Sequence, residues 1–327
     1  MYNVFVTRKI PDEGIRLLKA SKHVRLTVFP KNRVITRKEL LRGVKGANII
    51  LSILTEKIDK AVMEYSGPSL KMIANYAVGF DNIDLAEAKK RGITVTNAAC
   101  PQISETVAEH TIALMFALAH RVVESDHFTR SGQYKGWEPE LLLGTDLMGK
   151  TLGLIGTGNI GTMVARRLAS GFGMKILYTD VKRNADFEKS FGAKFRSKEQ
   201  LLRESDFVSL HVPLLPTTHH LMNDAAFALM KPTAFLINTA RGPIVDSAAL
   251  VRALRSKHIA GAALDVFEGE PAFARRKNDA QYLQHAWNVI LTPHTASATV
   301  ETRQAMSRTA AQNILAFLNG KRPPNQI

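Results

Sequence analysis

The stretch TLGLIGTGNIGTMVARRLASGFGMKILYTD, residues 151–180, is the part of the sequence that indicates the fold most clearly. A β-rich run at 151–155 leads into the glycine pattern GTGNIG at 156–161, and apolar residues then recur at helical spacing across 160–172. The next β-rich run ends at Asp180. This order of strand, glycine turn, helix and second strand with a terminal acid predicts a βαβ unit that binds a dinucleotide.

Each glycine of the turn has a physical role in such a unit. Gly156 permits the tight turn, Gly158 lets a pyrophosphate approach the backbone, and Gly161 lets helix and strand pack closely. The helix N-terminus supplies free N–H groups for the anion, and Asp180 would accept hydrogen bonds from the ribose hydroxyls. A bare GxGxxG pattern can also be a structural turn, but an acid nineteen residues beyond Gly161 (180 − 161) favours cofactor binding.

Upstream of this unit, short β-rich runs alternate with helical patterns. The predicted strands are 2–8, 24–30, 48–54, 70–77 and 94–97. The predicted helices are 11–21, 36–46, 57–67 and 82–92. Thr36 and Glu39 form a capping-box signature at the start of the second helix. Strict alternation of this kind predicts a parallel, doubly wound sheet.

The rest of the chain repeats the pattern. One long helix is predicted over 103–130, and a strandless segment rich in glycine and proline follows at 131–150. The next predicted strands are 151–156, 175–180, 206–211, 234–239, 261–266 and 288–292. The chain is therefore expected to be α/β with two doubly wound parallel-sheet domains. The remainder, 295–327, is mainly one amphipathic helix that should pack back on one of them.

Composition excludes several classes of protein. With 327 residues, 45% of them apolar and 22% charged, the chain fits two globular domains and not a disordered or disulfide-built protein. The longest uncharged apolar stretch, 111–119, is about half as long as a membrane span. No signal-peptide pattern opens the sequence, and the single Cys100 fits a reducing cytosol, so a cytoplasmic location is expected.

The net charge of +15 is compatible with a polyanionic partner, with a basic field that attracts anionic substrates, or with solubility alone. Lysine and arginine are spread along the chain, without an arginine-rich block or a zinc-finger spacing. This distribution disfavours nucleic-acid binding.

Three polar residues, Arg241, Glu270 and His294, each follow a predicted strand of the second series. Ligands of open α/β sheets bind beyond the carboxyl ends of the strands, so these side chains are expected at one edge of the cofactor-binding sheet. Taken singly, each has an ordinary explanation as a helix cap, a solvated loop acid or a packed histidine. Their shared position predicts a catalytic set.

Six motifs carry a resemblance to a known family. GTGNIG, NTARGPIVD at 238–246, ALDVFEGEP at 263–271 and LTPHTAS at 291–297 resemble, in order and spacing, those of the D-isomer-specific 2-hydroxyacid dehydrogenases. NYAVGFDNID at 75–84 and the closing RPPN extend the likeness to essentially the whole chain. The chain looks most similar to the glyoxylate and hydroxypyruvate reductase branch. The resemblance implies NADH-dependent reduction of a small 2-oxo acid to the D-2-hydroxy acid, and the reverse.

The resemblance also implies a domain organisation. A flavodoxin-like substrate domain takes 1–99 and 295–327, and a Rossmann dinucleotide-binding domain takes 100–294. The arm at about 103–150 resembles a dimerisation element, with a monomer's linker as the alternative. A homodimer is expected, with the anionic substrate between the domains and with no nucleic acid or membrane partner. Trp137 would either help to close the partner subunit's pocket or only anchor the arm by burial.

The same resemblance assigns roles to residues. Arg241 binds the substrate carboxylate and carbonyl, His294 is the acid/base, and Glu270 orients His294. This set suits the chemistry, because a protonated histidine can neutralise the charge that develops on a carbonyl oxygen, and a guanidinium fork matches a carboxylate. The implied substrate-binding residues are Leu54, Val78, Gly79, Arg241 and His294. The implied cofactor-binding residues are Thr106, Gly156, Gly158, Asn159, Ile160, Gly161, Asp180, Val212, Pro213, Thr239, Ala240, Arg241 and Asp265.

NAD(H) is the predicted cofactor, and NADP(H) is the weaker alternative. A carboxylate at Asp180 would repel a 2′-phosphate, whereas Lys182 and Arg183 could neutralise one. No metal site is predicted, because no spacing of histidine, cysteine and acidic residues indicates one and hydride transfer with a histidine acid/base requires none.

Other histidines compete with His294 for the catalytic role. His211 also ends a strand of the second sheet, so that only the family likeness favours His294. His219 and His220 look like loop or helix-cap residues. Packing or solvent is expected for the histidines of the long helix, His110, His120 and His127.

Rival functions remain open on the sequence. A non-enzymatic, nucleotide-sensing regulator would suit the positive charge, although the intact catalytic set disfavours it. Within the family, a phosphite dehydrogenase fits the same motifs, whereas formate enzymes usually carry glutamine at the position of Glu270. The chain ends 33 residues after His294 (327 − 294), which is too soon for the regulatory domain of a long phosphoglycerate dehydrogenase.

Overall fold

The computed structural model describes residues 1–270 and 277–327. The chain forms two compact units, one made of Met1–Ile103 with Ala298–Ile327 and the other of Ser104–Ser297. Each unit contains a parallel sheet with helices packed on it. This architecture confirms the predicted α/β class with two parallel-sheet domains.

The first unit is built on a five-stranded sheet. Its strands are β1 Tyr2–Val6, β2 Val24–Val28, β3 Ile49–Ser52, β4 Met72–Asn75 and β5 Thr94–Thr96. They lie in the order β2-β1-β3-β4-β5, and every neighbouring pair is parallel. This is the flavodoxin-like order. All residues of β3 and β4 are buried, as expected for central strands that are covered on both faces.

The helices of this unit are α1 Asp12–Ala20, α2 Arg37–Val44, α3 Lys60–Ser66, α4 Leu85–Lys90 and, near the C-terminus, α13 Val300–Leu318. The predicted capping box is present at the start of α2, where Thr36 and Glu39 satisfy each other's backbone N–H groups. The C-terminal helix packs on α1, because the N–H of Gly14 donates to Ser307 Oγ at 3.0 Å and a Cβ at Gly14 would overlap Ser307.

The second unit is built on a seven-stranded sheet. Its strands are β6 Thr151–Ile155, β7 Lys175–Thr179, β8 Lys194–Phe195, β9 Phe207–Leu210, β10 Phe235–Asn238, β11 Gly261–Leu264 and β12 Val289–Leu291. The order is β12-β11-β10-β9-β6-β7-β8, and all neighbours are parallel. The order reverses between β6 and β9, which makes their carboxyl ends the switch point where such sheets bind ligands. The two-residue β8 was not predicted.

The remaining helices are α5 Pro101–Ala119, α6 Val122–Arg130, α7 Asn159–Phe172, α8 Ala185–Phe191, α9 Lys198–Glu204, α10 Asp224–Phe227, α11 Ser247–Arg255 and α12 Lys277–His285. The prediction of one helix over 103–130 was wrong, because α5 and α6 are separated at Arg121, whose φ is +52°. The carbonyl of Ala119 accepts a hydrogen bond from the N–H of Thr145 at 2.9 Å, and a Cβ at Gly144 would overlap the same carbonyl. The arm after α6 therefore supplies the hydrogen bond that the next turn of α5 would otherwise make to Ala119.

Apolar side chains cover both faces of the seven-stranded sheet. On β10, the adjacent residues Leu236 and Ile237 are both fully buried but belong to different apolar clusters. Successive strand residues point to opposite faces, so the two clusters lie on opposite sides of the sheet. Burial of each such side chain contributes about 1.5–3 kcal/mol. Within the described residues, the helices lack the combination of length and apolar character that crossing a membrane requires.

Candidate active site

The glycine turn at the carboxyl end of β6 has the geometry of a dinucleotide cradle. Gly156 has a φ of +96°, and a Cβ there would lie 2.8 Å from the carbonyl oxygen of His211. A Cβ at Gly161 would overlap the carbonyl oxygen of Gly156, which is the close contact between helix and strand that the sequence predicted. At Gly158, no other part of the described chain lies within 4 Å of a Cβ position, so this side of the turn is open.

Helix α7 begins on this open side. Its N-cap residue is Gly158, which has no side chain to cap the helix, and the first turn carries no acidic residue. The N-terminus of a helix offers N–H donors and a partial positive charge. The start of α7, at Asn159 and Ile160, therefore fits the pyrophosphate of a dinucleotide.

Asp180 follows β7, and its carboxylate ties that strand to the glycine turn. Oδ2 accepts hydrogen bonds from the backbone N–H and the hydroxyl of Thr157, both at 2.7 Å, and Oδ1 accepts one from the N–H of Val181. Burial opposes ionisation of the carboxyl group, but these hydrogen bonds outweigh it and lower the pKa of Asp180. The acid is therefore ionised beside the turn, as a ribose-binding carboxylate should be.

The two cations after Asp180 have different surroundings. Arg183 donates two hydrogen bonds of 2.8 Å to Glu188, and they lower the pKa of Glu188 to about 2. Lys182 is exposed, and none of the described side chains forms a hydrogen bond or ion pair with it. Of the two residues that could neutralise a 2′-phosphate, only Lys182 is without an acidic partner in the described chain.

Arg241 is half-buried in the loop after β10. The side-chain amide of Asn238 donates to the carbonyl of Arg241 at 2.9 Å, and Asn238 Oδ1 accepts from the N–H of Ala240 at 3.0 Å. A Cβ at Gly242 would overlap the carbonyl of Phe267. The Arg241 loop is thus fixed at its base and lies directly against the loop that follows β11.

That next loop and the turn after β12 bring Glu270 and His294 together. Glu270 Oε2 and His294 Nδ1 are 2.9 Å apart, and Glu270 Oε1 accepts a hydrogen bond from the N–H of Phe267 at 2.9 Å. A carboxylate at Nδ1 favours the imidazole tautomer with its proton on that nitrogen, which leaves Nε2 facing a substrate. His294 has a φ of +55°, a left-handed conformation that is uncommon for a side chain of this size and is concentrated at functional sites.

Asp265, which follows β11, holds the turn that carries His294. Its carbonyl accepts the N–H of His294 at 2.9 Å. Its carboxylate accepts the N–H groups of Thr295 and Ala296 at 2.8 and 2.9 Å and the hydroxyl of Thr292 at 2.6 Å. Burial opposes ionisation, but the imidazole of His110 and these hydrogen-bond donors outweigh it and lower the pKa of Asp265 to about 2. In this structure the predicted cofactor residue positions the histidine turn.

Helix α5 adds His110 to this network. Its Nε2 is 3.2 Å from the hydroxyl of Thr292 and 3.5 Å from the carboxylate of Asp265. The sequence predicted only packing or solvent for His110. The structure instead gives it polar partners beneath the His294 turn.

His211 is the weaker candidate for the acid/base role. Its Nε2 lies 2.9 Å from the hydroxyl of Ser209, and burial lowers the pKa of His211 to about 4. It is therefore neutral near pH 7, and neutral imidazole is a far weaker acid than imidazolium. His294 has a carboxylate partner and is the expected proton donor.

The first unit carries the substrate-binding residues predicted outside the Rossmann sheet. The carbonyls of Val78 and Gly79, in the loop after β4, accept hydrogen bonds of 2.9 Å from the side chains of Asn97 and Asn75. No acceptor in the described residues pairs with the N–H groups of Val78 and Gly79. Leu54, after β3, and Val78 are both 40% exposed. This loop offers two backbone donors to an anion.

The sequence matches the model of the family described as "D-isomer specific 2-hydroxyacid dehydrogenase, NAD binding domain" over residues 112–296, more than half of the chain. The chain belongs to this family. The match confirms the resemblance inferred from the motifs and makes the protein an oxidoreductase that uses a nicotinamide dinucleotide.

Relatives of this dehydrogenase cover its whole length. A glyoxylate reductase of Thermococcus kodakarensis is 46% identical over 328 residues, which are 99% of this chain and 95% of the relative. A solved structure from Thermus thermophilus is 42% identical, with a TM-score of 0.90 and coverage of 99% of both chains. An NADPH-dependent glyoxylate/hydroxypyruvate reductase of Sinorhizobium meliloti is 30% identical, with a TM-score of 0.84 and coverage of 100% of this chain and 98% of the other.

The other predicted cofactor residues of the dehydrogenase lie in three places. They are Val212 and Pro213 after β9, Thr239 and Ala240 after β10, and Thr106 on α5. The first two pairs share the carboxyl edge of the sheet with the glycine turn. The hydroxyl of Thr239 is 2.9 Å from that of Thr111, which fixes its side chain.

Two supporting residues of the dehydrogenase, Asn238 and His110, were not among the predicted site residues. Asn238 is fully buried, and a buried polar side chain at a strand end is a signal that its hydrogen bonds hold a loop. His110 gives no such signal, because its partner Thr292 is 182 residues away in the sequence.

Proposed function

We propose that this dehydrogenase reduces a small 2-oxo acid of the glyoxylate or hydroxypyruvate type to the D-2-hydroxy acid, catalyses the reverse oxidation, and prefers NADH. The observation that carries the proposal is the 2.9 Å contact between His294 and Glu270 in loops that follow strands of the same sheet as the glycine turn. The glyoxylate reductase of Thermococcus kodakarensis, 46% identical over nearly the full chain, supports the substrate class.

In the proposed reaction, the bound cofactor supplies the hydride that reduces the carbonyl carbon. Arg241 binds the substrate carboxylate through two parallel N–H contacts. Protonated His294 gives a proton from Nε2 to the carbonyl oxygen, while Glu270 holds Nδ1 and stabilises the imidazolium beforehand. In the reverse direction, neutral His294 accepts the hydroxyl proton. The N–H groups of Val78 and Gly79 are the second candidate cradle for the carboxylate.

The preference for NADH is proposed from the surroundings of Asp180. The turn at Gly158 and the N-terminus of α7 would hold the pyrophosphate, and the ionised Asp180 would accept the ribose hydroxyls and repel a 2′-phosphate. Arg183 is engaged by Glu188. The solvated Lys182 contributes little against a carboxylate in direct reach of the ribose. Because a Sinorhizobium meliloti relative is NADPH-dependent, the preference needs a direct measurement.

We also propose that the enzyme is a homodimer formed through α6 and the arm that follows it. Helix α6 has no buried residue in the described chain. Large apolar side chains are more than half exposed along this segment; they are Val122, Val123, Tyr134, Trp137, Leu143 and Met148. Trp137 is 82% exposed, so its own chain does not bury it. Exposed large apolar side chains in one segment are typical of an interface, and light scattering should give twice the chain mass.

The substrate proposal is tested with a panel of glyoxylate, hydroxypyruvate, pyruvate and phenylpyruvate, each with NADH and with NADPH. The highest kcat/KM is expected for glyoxylate or hydroxypyruvate with NADH. The product should be the D-enantiomer when the substrate is hydroxypyruvate. Turnover of phosphite or formate in place of all four oxo acids would refute the proposal.

A further inference from the structure

A second cluster of ionisable side chains lies outside the candidate active site. It consists of His219 and His220, in the segment between β9 and α10, and Glu268, in the loop after β11. One ligand atom from each side chain lies within 4.8 Å of the other two, and His220 Nε2 is 2.8 Å from Glu268 Oε1. Across 1–270 and 277–327, no other group of three histidine, cysteine or acidic residues is arranged in this way.

The backbone holds the cluster in place. The two imidazole rings are stacked, with centroids 4.0 Å apart and planes at 27°, although side chains of adjacent residues usually point apart. His220 has a φ of +50°, and its N–H donates to the carbonyl of Pro243 at 2.8 Å. Glu268 Oε2 accepts the N–H of Ser247 at 3.0 Å. A strained residue that is fixed from two sides is a mark of a functional position.

We propose that His219, His220 and Glu268 bind one divalent transition-metal ion of the zinc type. Two imidazole nitrogens and one carboxylate oxygen are ligands that Zn²⁺ binds at about 2.0–2.2 Å, so that ligand atoms around one ion lie roughly 3–4 Å apart. To reach that value, His220 Nε2 and Glu268 Oε1, now 2.8 Å apart, must separate slightly, and the longest separation in the cluster, at most 4.8 Å, must shorten. His219 is exposed, which leaves a fourth position open to water. Hydride transfer does not use this ion, so the site is an addition to the proposed function.

Both catalytic loops meet at the cluster. His220 is hydrogen-bonded to Pro243, two residues after Arg241, and Glu268 lies two residues before Glu270. An ion at this point would link the segment after β9, which is hydrogen-bonded to the loop after β10, to the loop after β11. A ligand that binds only the folded protein stabilises it by mass action. The ion is therefore expected to raise the melting temperature of the enzyme.

The test uses untagged full-length protein that has been treated with EDTA, dialysed, and titrated with CoCl₂ and with ZnCl₂. Isothermal titration gives affinity and stoichiometry, and the visible bands of Co²⁺ report the ligand geometry. The variants are His219→Ala and Glu268→Gln; the glutamine keeps an oxygen for the N–H of Ser247. The matched control is His258→Ala, which removes another exposed histidine of the same unit. His294→Ala tests whether the ion binds at the catalytic pair instead.

We expect one ion per chain, tetrahedral Co²⁺ bands, and a melting temperature that rises with ZnCl₂. Affinity should fall at least about tenfold in His219→Ala and in Glu268→Gln, because each removes a ligand. It should be unchanged in His258→Ala and His294→Ala. Absence of binding at millimolar metal, binding that survives both ligand variants, or loss of binding only in His294→Ala would each overturn the proposal.

Discussion

Replacing Asp265 with asparagine tests how the His294 turn is held. The side chain keeps its size but loses the charge that faces His110 at 3.5 Å and accepts hydrogen bonds from Thr292, Thr295 and Ala296. The folded-state pKa of about 2, against an ordinary value of 3.8, corresponds to about 2 kcal/mol of stability, since each pKa unit is worth about 1.4 kcal/mol. Asp265→Asn should lower the free energy of unfolding by at least about this amount at pH 7. The kcat should also fall, because His294 loses its fixed turn.

The direction of the pKa shift determines how the stability difference between the two proteins depends on pH. The pKa of Asp265 is lower in the folded state, so its contribution is complete well above pH 3.8 and disappears as the pH falls through about 2. Urea unfolding of both proteins at pH 7, 5, 4 and 3 should therefore give a difference that is constant down to about pH 5 and shrinks below it. Asp146→Asn, at an exposed acid, is the matched control and should change little. Equal stability at pH 7, or a difference that does not change with pH, would show that the Asp265 carboxylate does not stabilise the fold.

Three further predictions concern the cofactor turn and the arm. Gly161→Ala should weaken NADH binding and destabilise the fold by about 1–3 kcal/mol, because the added Cβ overlaps the carbonyl of Gly156. Gly171→Ala in the same helix is the control; its Cβ meets open space, so the variant should be neutral or slightly stabilising. Calorimetry of both variants measures the difference. Asp180→Ser should narrow the gap in kcat/KM between NADH and NADPH, mainly through the KM for NADPH, and equal values in the wild type would contradict the role of Asp180. Trp137→Ala should change the rate on glyoxylate relative to larger oxo acids; an unchanged ratio in a protein that is still dimeric would exclude Trp137 from the partner subunit's pocket.

The order of elements was readable from the sequence, because buried parallel strands and amphipathic helices have local periodicities. The interruption between α5 and α6 was not readable. Its cause is a tertiary contact: the N–H of Thr145 donates to the carbonyl of Ala119, and Gly144 packs against the same carbonyl. The sequence around Arg121 contains no signal of a helix end. Strand ends were also predicted a residue or two too long, because hydrogen bonding stops before the apolar pattern does.

The sequence predicts those parts of the candidate site that follow from the order of strands in the sheet. Carboxyl ends of parallel strands lie at the same edge of a sheet, so the sequence alone predicts Arg241, Glu270 and His294 at one edge. The supporting contacts were not readable, because they join residues far apart in sequence. His220 and Glu268 are separated by 48 positions, and no local spacing indicates that they meet.

The role of His294, held by Glu270, as the acid/base of the reduction underlies the proposed function. It is tested most directly by pre-steady-state and steady-state reduction of glyoxylate with NADH in His294→Ala, beside His211→Ala. If His294 is the general acid, kcat falls by about 10²–10⁴ in His294→Ala, while NADH binding is retained. The loss in His211→Ala is expected to be much smaller. A kcat near the wild-type value in His294→Ala, with the large loss in His211→Ala instead, would contradict it.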